Sequence, residues 1–199
     1  MYIIDGKAAR PIAAAELAAW SARYATVTID LGTGDGRFVR DLARRQPEMG
    51  VMGVDLNASN LRETSRRAPG NARFVVTDAL ALPEAMRGMA TTITINFPWG
   101  SLLRGLVAGD AELYSGIATL ARPGSSLRIT LNADALAMAS FTLEAGRDRI
   151  VARLREARLH AITATPLDAQ ALRQWPTTWA KRLAFGRDPR AVRIAATIA

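Results

Sequence analysis

The sequence predicts an α/β fold built on a mainly parallel sheet of seven strands, with an antiparallel edge strand and a short N-terminal hairpin. Three observations support this prediction. Short apolar runs alternate with segments of helical periodicity, a glycine-rich turn follows the first long apolar run, and two extended stretches flank a basic insert late in the chain. With 49% hydrophobic residues among 199, the chain can bury a large core, so residues 1–199 are expected to form one domain.

The strands are predicted where β-branched and other apolar residues cluster between turn residues. The Asp5-Gly6 pair predicts the turn of the N-terminal hairpin. Seven strands follow in order: 26–30, 51–55, 74–76, 91–95, 126–131, 161–165 and 192–198. The first five alternate with helices and are expected to lie parallel, whereas the last two are expected to pair antiparallel at the sheet edge.

The helices are predicted where apolar residues recur three or four positions apart. In order, they are 13–24, 37–46, 59–67, 102–121 and 148–159. Leu17 and Trp20 mark the buried face of the first helix, and Val39 and Leu42 that of the second. The Pro123-Gly124 pair ends the fourth helix, because proline cannot continue a helix and glycine favours a turn.

Composition excludes several classes of protein. The chain has no cysteine, which excludes disulfides, thiolate metal ligation and a thiol nucleophile, and no metal site is predicted. It offers neither a secretory signal nor about twenty consecutive apolar residues, so a soluble, cytoplasmic protein without membrane contact is expected. The net charge of +8 comes mainly from arginine and favours a polyanionic partner, although a genome-wide bias toward arginine and alanine would give the same total.

The first chemical motif is the turn Asp30-Leu31-Gly32-Thr33-Gly34-Asp35-Gly36 after the first parallel strand. Glycines such as Gly32 and Gly34 let the backbone approach a ligand closely. A dinucleotide fingerprint would need glycine at position 37, which is Arg37, and the flanking carboxylates would repel a pyrophosphate. S-adenosylmethionine carries an ammonium and a cationic sulfur instead of phosphates, so Asp30 and its neighbours favour that cofactor.

Two further aspartates follow the next two strands. Asp55 ends the second strand 25 residues after Asp30, where a carboxylate binds the two hydroxyls of a ribose. Asp78 follows the third strand and is predicted to line the adenine pocket. Each aspartate alone is also compatible with a helix cap, but the combination at this spacing favours a cofactor site.

The second motif, Asn96-Phe97-Pro98-Trp99-Gly100, directly follows the fourth strand. In an open parallel sheet, ligands bind beyond the carboxyl ends of the strands, so this loop is expected beside the methyl group to be transferred. Asn96 can hydrogen-bond to cofactor or base, and Trp99 offers a flat surface on which a base can stack. The alternative is that Trp99 only packs against neighbouring helices.

The third feature is a basic insert between residues 173 and 193, with six basic residues, one acidic residue and two tryptophans. Basic side chains interleaved with aromatic ones suit a phosphate backbone and unstacked bases. Trp175 precedes a proline and is expected to serve in packing. Trp179, which is followed by Lys181 and Arg182, is the better candidate for a stacking surface.

These motifs carry a family resemblance. Residues 32–38 (GTGDGRF), 96–105 (NFPWGSLLRG) and 178–183 (TWAKRL) closely resemble the aminoglycoside-resistance rRNA methyltransferases of the kanamycin-apramycin type, in order from about Thr26 to Arg187. The resemblance implies a Rossmann-like class I S-adenosylmethionine methyltransferase. It further implies that the substrate is N1 of the decoding-site adenine of 16S rRNA in the small ribosomal subunit and that methylation confers aminoglycoside resistance. A substrate of ribosomal size suits a monomeric enzyme.

The resemblance also assigns roles to individual residues. It implies a flipped adenine held between Trp99 and Trp179, with RNA contacts from the basic insert. The cofactor residues that it implies are Asp30, Gly32, Asp55, Ser101 and Thr177, and the RNA-binding residues are Arg182 and Arg187. The positions of the motifs add Gly34, Asp78 and Asn96 to the expected cofactor site and Lys181 to the expected RNA-binding residues. The chain departs from the family at Leu80, where a glutamate is expected, and over residues 133–147, which match nothing in it.

Three other functions remain open at this point. A methyltransferase of another RNA, such as a tRNA guanine-N7 enzyme, would have the same fold. A small-molecule methyltransferase would have no use for the basic, tryptophan-bearing insert. A non-catalytic ribosome-binding module would bind RNA without cofactor, and the intact glycine turn and Asp55 argue against it.

Overall fold

A computed structural model describes residues 1–6, 8–173, 175, 180 and 188–199. Within these residues, the centre of the molecule is a nine-stranded mixed sheet with the order β2-β1-β5-β4-β3-β6-β7-β9-β8. The strands are β1 (Tyr2–Asp5), β2 (Ala8–Pro11), β3 (Val27–Leu31), β4 (Gly50–Asp55), β5 (Ala72–Val76), β6 (Ala90–Asn96), β7 (Ala121–Asn132), β8 (His160–Leu167) and β9 (Ala191–Thr197). The helices are α1 (Ala14–Ser21), α2 (Arg37–Arg45), α3 (Ala58–Ser65), α4 (Gly100–Ala108), α5 (Ala111–Leu120), α6 (Ala133–Met138), α7 (Leu143–Glu156) and α8 (Ala169–Arg173).

Five neighbouring strands, β5-β4-β3-β6-β7, run parallel, as the alternation of strands and helices predicts. Asp30 on the central strand β3 lies between Gly53 of β4 and Thr94 of β6. Because the carboxyl ends of parallel strands meet at one edge of the sheet, the turns after β3, β4, β5 and β6 converge there.

The expected count of seven strands is wrong, because the N-terminal hairpin is part of the sheet. Strand β1 pairs antiparallel with β5 through Tyr2–Val76 and Ile3–Val75. Successive residues of a strand point to opposite faces, and both Ile3 and Ile4 are buried, in different apolar clusters. Strand β1 is therefore covered on both faces by these clusters, while its backbone pairs with the edge of the sheet at β5. Strands β3–β9 are the seven that the sequence predicts.

The last two strands pair antiparallel at the opposite edge, and this prediction is confirmed. Strand β9 pairs antiparallel with both β7 and β8. Among the described residues, no helix is both long and apolar enough to cross a membrane.

Two helix boundaries differ from the predicted ones for local reasons. The predicted helix 102–121 is two helices, because Gly109 adopts a φ of +80° and ends α4, and the Asp110 side chain accepts a hydrogen bond from Leu113 N (2.9 Å) to start α5. Helix α7 begins at Leu143, five residues earlier than predicted, because the Thr142 hydroxyl accepts a hydrogen bond from Ala145 N (3.1 Å). A further helix, α6, spans Ala133–Met138.

The helices cover the two faces of the sheet unequally. The main apolar cluster lies between one face and helices α1, α4, α5 and α7. On the other face, a smaller cluster joins α2 and α3 to strands β4 and β5. The main cluster anchors β3, β6, β7 and β9 through alternate residues such as Ile29, Ile93, Ile129 and Ile194. The parallel strands thus form a rigid base beneath the converging turns.

Candidate active site

A cleft of about 510 Å³ opens at the carboxyl ends of β3, β4, β5 and β6. Seven of the eight predicted cofactor residues line it: Asp30, Gly32, Gly34, Asp55, Asp78, Asn96 and Ser101. The eighth, Thr177, lies outside the described residues. Four separate turns contribute these side chains, and the parallel sheet brings them together.

The turn between β3 and α2 forms the floor of the cleft and depends on glycine. Gly32, Gly34 and Gly36 adopt φ values of +72°, +61° and +72°, which side chains with a Cβ rarely tolerate. A Cβ at Gly32 would lie 2.7 Å from Leu102 Cδ2, whereas a Cβ at Gly34 would meet no atom within 4 Å. Gly32 is therefore required for packing, and Gly34 leaves open space in which a ligand can approach the backbone.

Asp30 is a buried carboxylate beneath this turn, with a relative exposure of 1%. Its Oδ1 accepts hydrogen bonds from Thr94 Oγ1 (2.7 Å) and Asn96 Nδ2 (2.8 Å). Burial raises the pKa of Asp30 to about 6; these two hydrogen bonds act in the opposite direction, and the nearby charge of Asp55 raises it further. A buried carboxylate of this kind gains from a cationic group placed beside it.

Asp55 ends β4 and connects the first two turns. Its Oδ2 accepts a hydrogen bond from Gly34 N (2.8 Å) and its Oδ1 accepts one from Asn57 N (2.9 Å). A carboxylate oxygen can accept two hydrogen bonds, and each oxygen of Asp55 accepts only one of those just described. Both oxygens can therefore also accept a hydrogen bond from a ligand hydroxyl. The backbone bonds fix the orientation of the carboxylate, as binding of a ribose diol requires.

Asp78 lies in the turn that follows β5. Its Oδ1 accepts a hydrogen bond from Leu80 N (2.9 Å), which holds the carboxylate in a local turn. The side chain is half-buried and lines the cleft.

The loop after β6 places Asn96 and Trp99 on the cleft wall. The Asn96 amide donates to Asp30, and its Oδ1 accepts from the Thr130 hydroxyl (3.4 Å), so the side chain is held from both sides. Phe97 adopts a φ of +53°, uncommon for a residue with a side chain, and its N–H donates to Thr130 O (2.8 Å). Trp99 caps α4, packs partly against the main core and also lines the cleft. Part of Trp99 thus packs in the core and part faces the cleft, so its role as a stacking surface stays a prediction.

Several lining residues were not predicted from the sequence, although they neighbour predicted ones. They are Thr33, Asp35, Phe38, Leu56, Asn60, Ala79, Leu80, Phe97, Pro98 and Leu102. Leu56 stands out because 61% of this apolar residue is exposed directly after Asp55. A large exposed apolar side chain beside a carboxylate is the signal that could have marked it, since an adenine ring needs an apolar contact next to the group that binds its ribose.

The predicted stacking and RNA-binding residues of the basic insert cannot be compared with the structure. Trp179, Lys181, Arg182 and Arg187 lie outside the described residues. Trp175 is described and serves in packing, as expected: its ring contacts Phe97 edge-on, with the ring centroids 5.7 Å apart.

The chemistry of the cleft suits S-adenosylmethionine. Four carboxylates line the cleft, from Asp30, Asp35, Asp55 and Asp78, and no lysine or arginine is among the described lining residues. A pyrophosphate would meet repulsion from these charges, whereas a sulfonium and an ammonium would be attracted. Space at Gly34 lets a ligand approach the backbone closely. The oriented Asp55 carboxylate suits a ribose, and the apolar side chain of Leu56 suits a purine.

Comparisons with known proteins agree with this chemistry. The family model described as "NpmA: 16S rRNA (adenine(1408)-N(1))-methyltransferase" matches residues 2–198. The 16S rRNA (adenine(1408)-N(1))-methyltransferase of Escherichia coli is 29% identical over 209 residues, covering 94% of each chain. The crystal structure of the 16S rRNA methyltransferase KamB superimposes with a TM-score of 0.89 at 26% identity, covering 100% of both chains. A mutant of the corresponding enzyme from Catenulisporales acidiphilia, solved with cosubstrate SAM, gives a TM-score of 0.85 at 26% identity over 100% of this chain and 97% of that one.

Proposed function

The chain belongs to the 16S rRNA (adenine(1408)-N(1))-methyltransferase family, and from this premise we propose that it methylates N1 of that adenine, with S-adenosylmethionine as the methyl donor. The observation that carries the proposal is a carboxylate-lined cleft that meets the Asn96–Gly100 loop at the end of β6. One wall suits a cationic cofactor and the other presents an aromatic surface to a base. Residues 1–199 act as one methyltransferase domain in this proposal.

Cofactor binding is assigned to the residues that converge on the cleft. Asp30 provides the buried negative charge near the cationic end of the ligand, and Asp55 binds the ribose hydroxyls. Asp78 and Leu56 bound the adenine, while Gly32 and Gly34 let the backbone come close. Ser101 and Thr177 are proposed as further contacts by the resemblance noted above.

The reaction needs alignment more than acid–base catalysis. S-adenosylmethionine, when bound, supplies a methyl carbon that the in-plane lone pair of adenine N1 attacks directly while the carbon–sulfur bond breaks. No residue has to remove a proton before that attack, so the contribution of the chain is to position the base and hold it out of the RNA helix. Asn96, held by Asp30 and Thr130, supplies a fixed amide at the point where cofactor and base meet.

Trp99 and Trp179 are proposed to stack on the two faces of the flipped adenine. Stacking on an aromatic side chain contributes about 1–3 kcal/mol per base, enough to offset much of the cost of unstacking the nucleotide. Trp99 lines the cleft next to Asn96, which supports its half of this arrangement. Lys181, Arg182 and Arg187 follow Trp179 in the chain and are proposed to bind the surrounding RNA.

The proposed substrate is adenine 1408 within the assembled small ribosomal subunit, and the proposed consequence is resistance to aminoglycosides that bind there. A substrate of ribosomal size suits a monomeric enzyme. The chain is proposed to act in the cytoplasm, where ribosomes are found.

Transfer of labelled methyl groups tests the proposal. Purified protein is incubated with tritium-labelled S-adenosylmethionine and, separately, with unmethylated bacterial small subunits, purified 16S rRNA and tRNA. We expect label in the small subunits. Label in tRNA alone would point to the guanine-N7 type of enzyme instead. Cofactor binding without transfer to any RNA would overturn the assignment of substrate, and RNA binding without cofactor binding would indicate a non-catalytic module.

A further inference from the structure

One face of the sheet carries polar residues where a parallel sheet is normally apolar. Strands buried on both faces consist of nearly continuous apolar residues, but β6 and β7 alternate apolar and polar ones over residues 92–96 and 126–131. Their apolar residues, such as Ile93 and Ile129, join the main core. Their polar residues therefore face the opposite side, the side of α2. In the part of the chain that the structure describes, that side is only partly covered, because Thr94 and Thr130 are buried whereas Arg128 is exposed.

That side of the sheet forms a groove of about 430 Å³, separate from the cofactor cleft. Its base is made of hydroxyl-bearing side chains of β3, β6 and β7, and its walls come from α2 on one side and from α8 and Trp175 on the other. Three arginines line it: Arg45 of α2, Arg128 of β7 and Arg193 of β9.

The strand register brings two of these arginines together. Arg128 pairs with Ala195 of β9, and Arg193 pairs with Thr130 of β7. Arg128 and Arg193 are thus diagonal neighbours on one face of an antiparallel pair, a position in which long side chains are within reach of each other. Burial lowers the pKa of Arg193, and the positive charge of Arg128 lowers it further. Two guanidinium groups consequently face the same part of the groove.

These charges have no acidic partners in the part of the chain that the structure describes. Arg45, Arg128 and Arg193 form no ion pair there, whereas nine other arginine–carboxylate pairs occur within it. The Arg193 guanidinium lies over the Trp175 ring, 4.6 Å from its centroid, and this contact holds the side chain in place. Clustered like charges of this kind are stabilised when an anion binds between them.

The groove adjoins the cofactor cleft. Phe38 and Asn96 line both, and Thr94, which donates to Asp30 in the cleft, lines the groove with its neighbours. A polymer whose reactive base enters the cleft beside Asn96 therefore has a positively charged path leading away from it.

We propose that this groove binds the phosphodiester backbone of the rRNA strand next to the flipped adenine, a contact that rests on the function proposed above. Arg128 and Arg193 bind a phosphate between them, since arginine forms paired hydrogen bonds to phosphate oxygens. Arg45, which also lines the groove, extends the path along α2. Backbone contacts carry no sequence information, so the role of the groove is to hold the strand in register while the base is in the cleft.

Charge reversal at Arg128 tests the groove, because this side chain is exposed and its replacement leaves the core intact. Affinity for small subunits is measured against salt concentration for the wild type, for Arg128→Glu, for Arg193→Gln and for a control. Arg155→Glu is the control: Arg155 is exposed on α7, on the opposite face of the sheet. Affinity for S-adenosylmethionine and melting temperature are measured for each variant as checks on the cleft and the fold.

We expect Arg128→Glu to weaken binding of small subunits at least tenfold and to make the slope of log K against log salt shallower by about 0.7 for one lost phosphate contact. Arg193→Gln should make the slope shallower by a similar amount. Arg155→Glu should have the affinity and the slope of the wild type. Unchanged affinity and slope in both groove variants would overturn the proposal, as would an equal loss in Arg155→Glu. If the wild type bound small subunits tightly but did not methylate them, only the proposed function would be overturned. If it neither bound nor methylated them, both the proposed function and the proposed role of the groove would be overturned.

Discussion

Binding of S-adenosylmethionine should weaken as the pH falls through the titration range of Asp30. The Asp30 carboxyl is buried, and burial raises its pKa to about 6. Only the ionised form attracts the cationic end of the ligand. With a pKa of about 6, roughly nine tenths of Asp30 is ionised at pH 7 and roughly one tenth at pH 5. The dissociation constant of the ligand should therefore rise about tenfold between pH 7 and pH 5.

The same shift acts in the opposite direction on stability. A carboxyl whose pKa is higher in the folded than in the unfolded state binds its proton more tightly when folded. The ligand-free protein therefore loses stability as the pH rises from about 4 to about 6, by a few kcal/mol in order of magnitude. Asp30→Asn removes this cost, since an amide keeps hydrogen-bonding capacity without charge.

Isothermal titration calorimetry at pH 5, 6 and 7 checks the prediction with wild-type protein and with Asp30→Asn. We expect tenfold weaker binding of S-adenosylmethionine at the lowest pH for the wild type and weak, nearly pH-independent binding for the variant. The variant without ligand should melt at a higher temperature than the wild type at pH 7. A wild-type affinity that stays constant from pH 7 to pH 5 while the fold remains intact would refute the assignment of Asp30 to the cationic end of the ligand.

Three substitutions test other parts of the cleft. Asp55→Ala should raise the dissociation constant of S-adenosylmethionine at least tenfold in the same titration, because charged hydrogen bonds of about 1.5–3 kcal/mol to the ribose are lost. An unchanged dissociation constant would show that Asp55 does not bind the cofactor. Trp99→Ala should leave the dissociation constant of S-adenosylmethionine within about twofold of the wild type. It should lower the turnover of small subunits by roughly 5- to 150-fold, which corresponds to the loss of about 1–3 kcal/mol of stacking, and Trp99→Phe should largely restore turnover. Normal turnover in Trp99→Ala would end the stacking hypothesis. Gly32→Ala should lower the melting temperature by several degrees, because its φ of +72° is strained for alanine and the new Cβ would lie 2.7 Å from Leu102 Cδ2. Gly88→Ala, with a φ of +62° and no atom within 4 Å of the new Cβ, provides the control with strain but no clash, and equal losses in the two would show that the contact with Leu102 is not important.

Much of the fold could be predicted from local pattern. Alternation of strands and helices gave the parallel sheet, and the two late extended stretches gave its antiparallel edge. The hairpin was recognised from Asp5-Gly6, but its docking on β5 was not, because the pattern of a strand does not say which sheet edge it meets. The break between α4 and α5 was missed although Gly109-Asp110 carries both a helix stop and a helix start.

The candidate site was predicted where chemistry and position coincide, at turns that follow parallel strands. Asp30, Asp55 and Asn96 all face one cleft because β3, β4 and β6 end at the same edge of the sheet. Contributions from distant parts of the chain could not be predicted in this way. Leu102 leaves no room for a side chain at position 32, and the Thr130 hydroxyl donates a hydrogen bond to Asn96. Both contacts join elements that are far apart in sequence.

The polar residues on one face of β6 and β7 could not be interpreted from the sequence. The apolar residues around Thr92 and Arg128 predict strands, but the sequence alone does not say what the polar residues between them face. Their meaning depends on the side of the sheet that they face, which is decided by the packing of α4, α5 and α7 on one face and of α2 on the other. Arg193 is part of the basic insert by sequence, yet the register of β9 places it beside Arg128 on that face.

Mapping of the modified nucleotide identifies the atom that receives the methyl group. Small subunits treated with the protein and S-adenosylmethionine are analysed by primer extension, and the digested RNA by chromatography and mass spectrometry against standards of 1-methyladenosine and N6-methyladenosine. We predict a reverse-transcription stop at adenine 1408 and 1-methyladenosine in the digest, because a methyl group on N1 blocks Watson–Crick pairing. Methylated adenosine without a stop, a stop at another nucleotide, or a methylated guanosine would contradict the account.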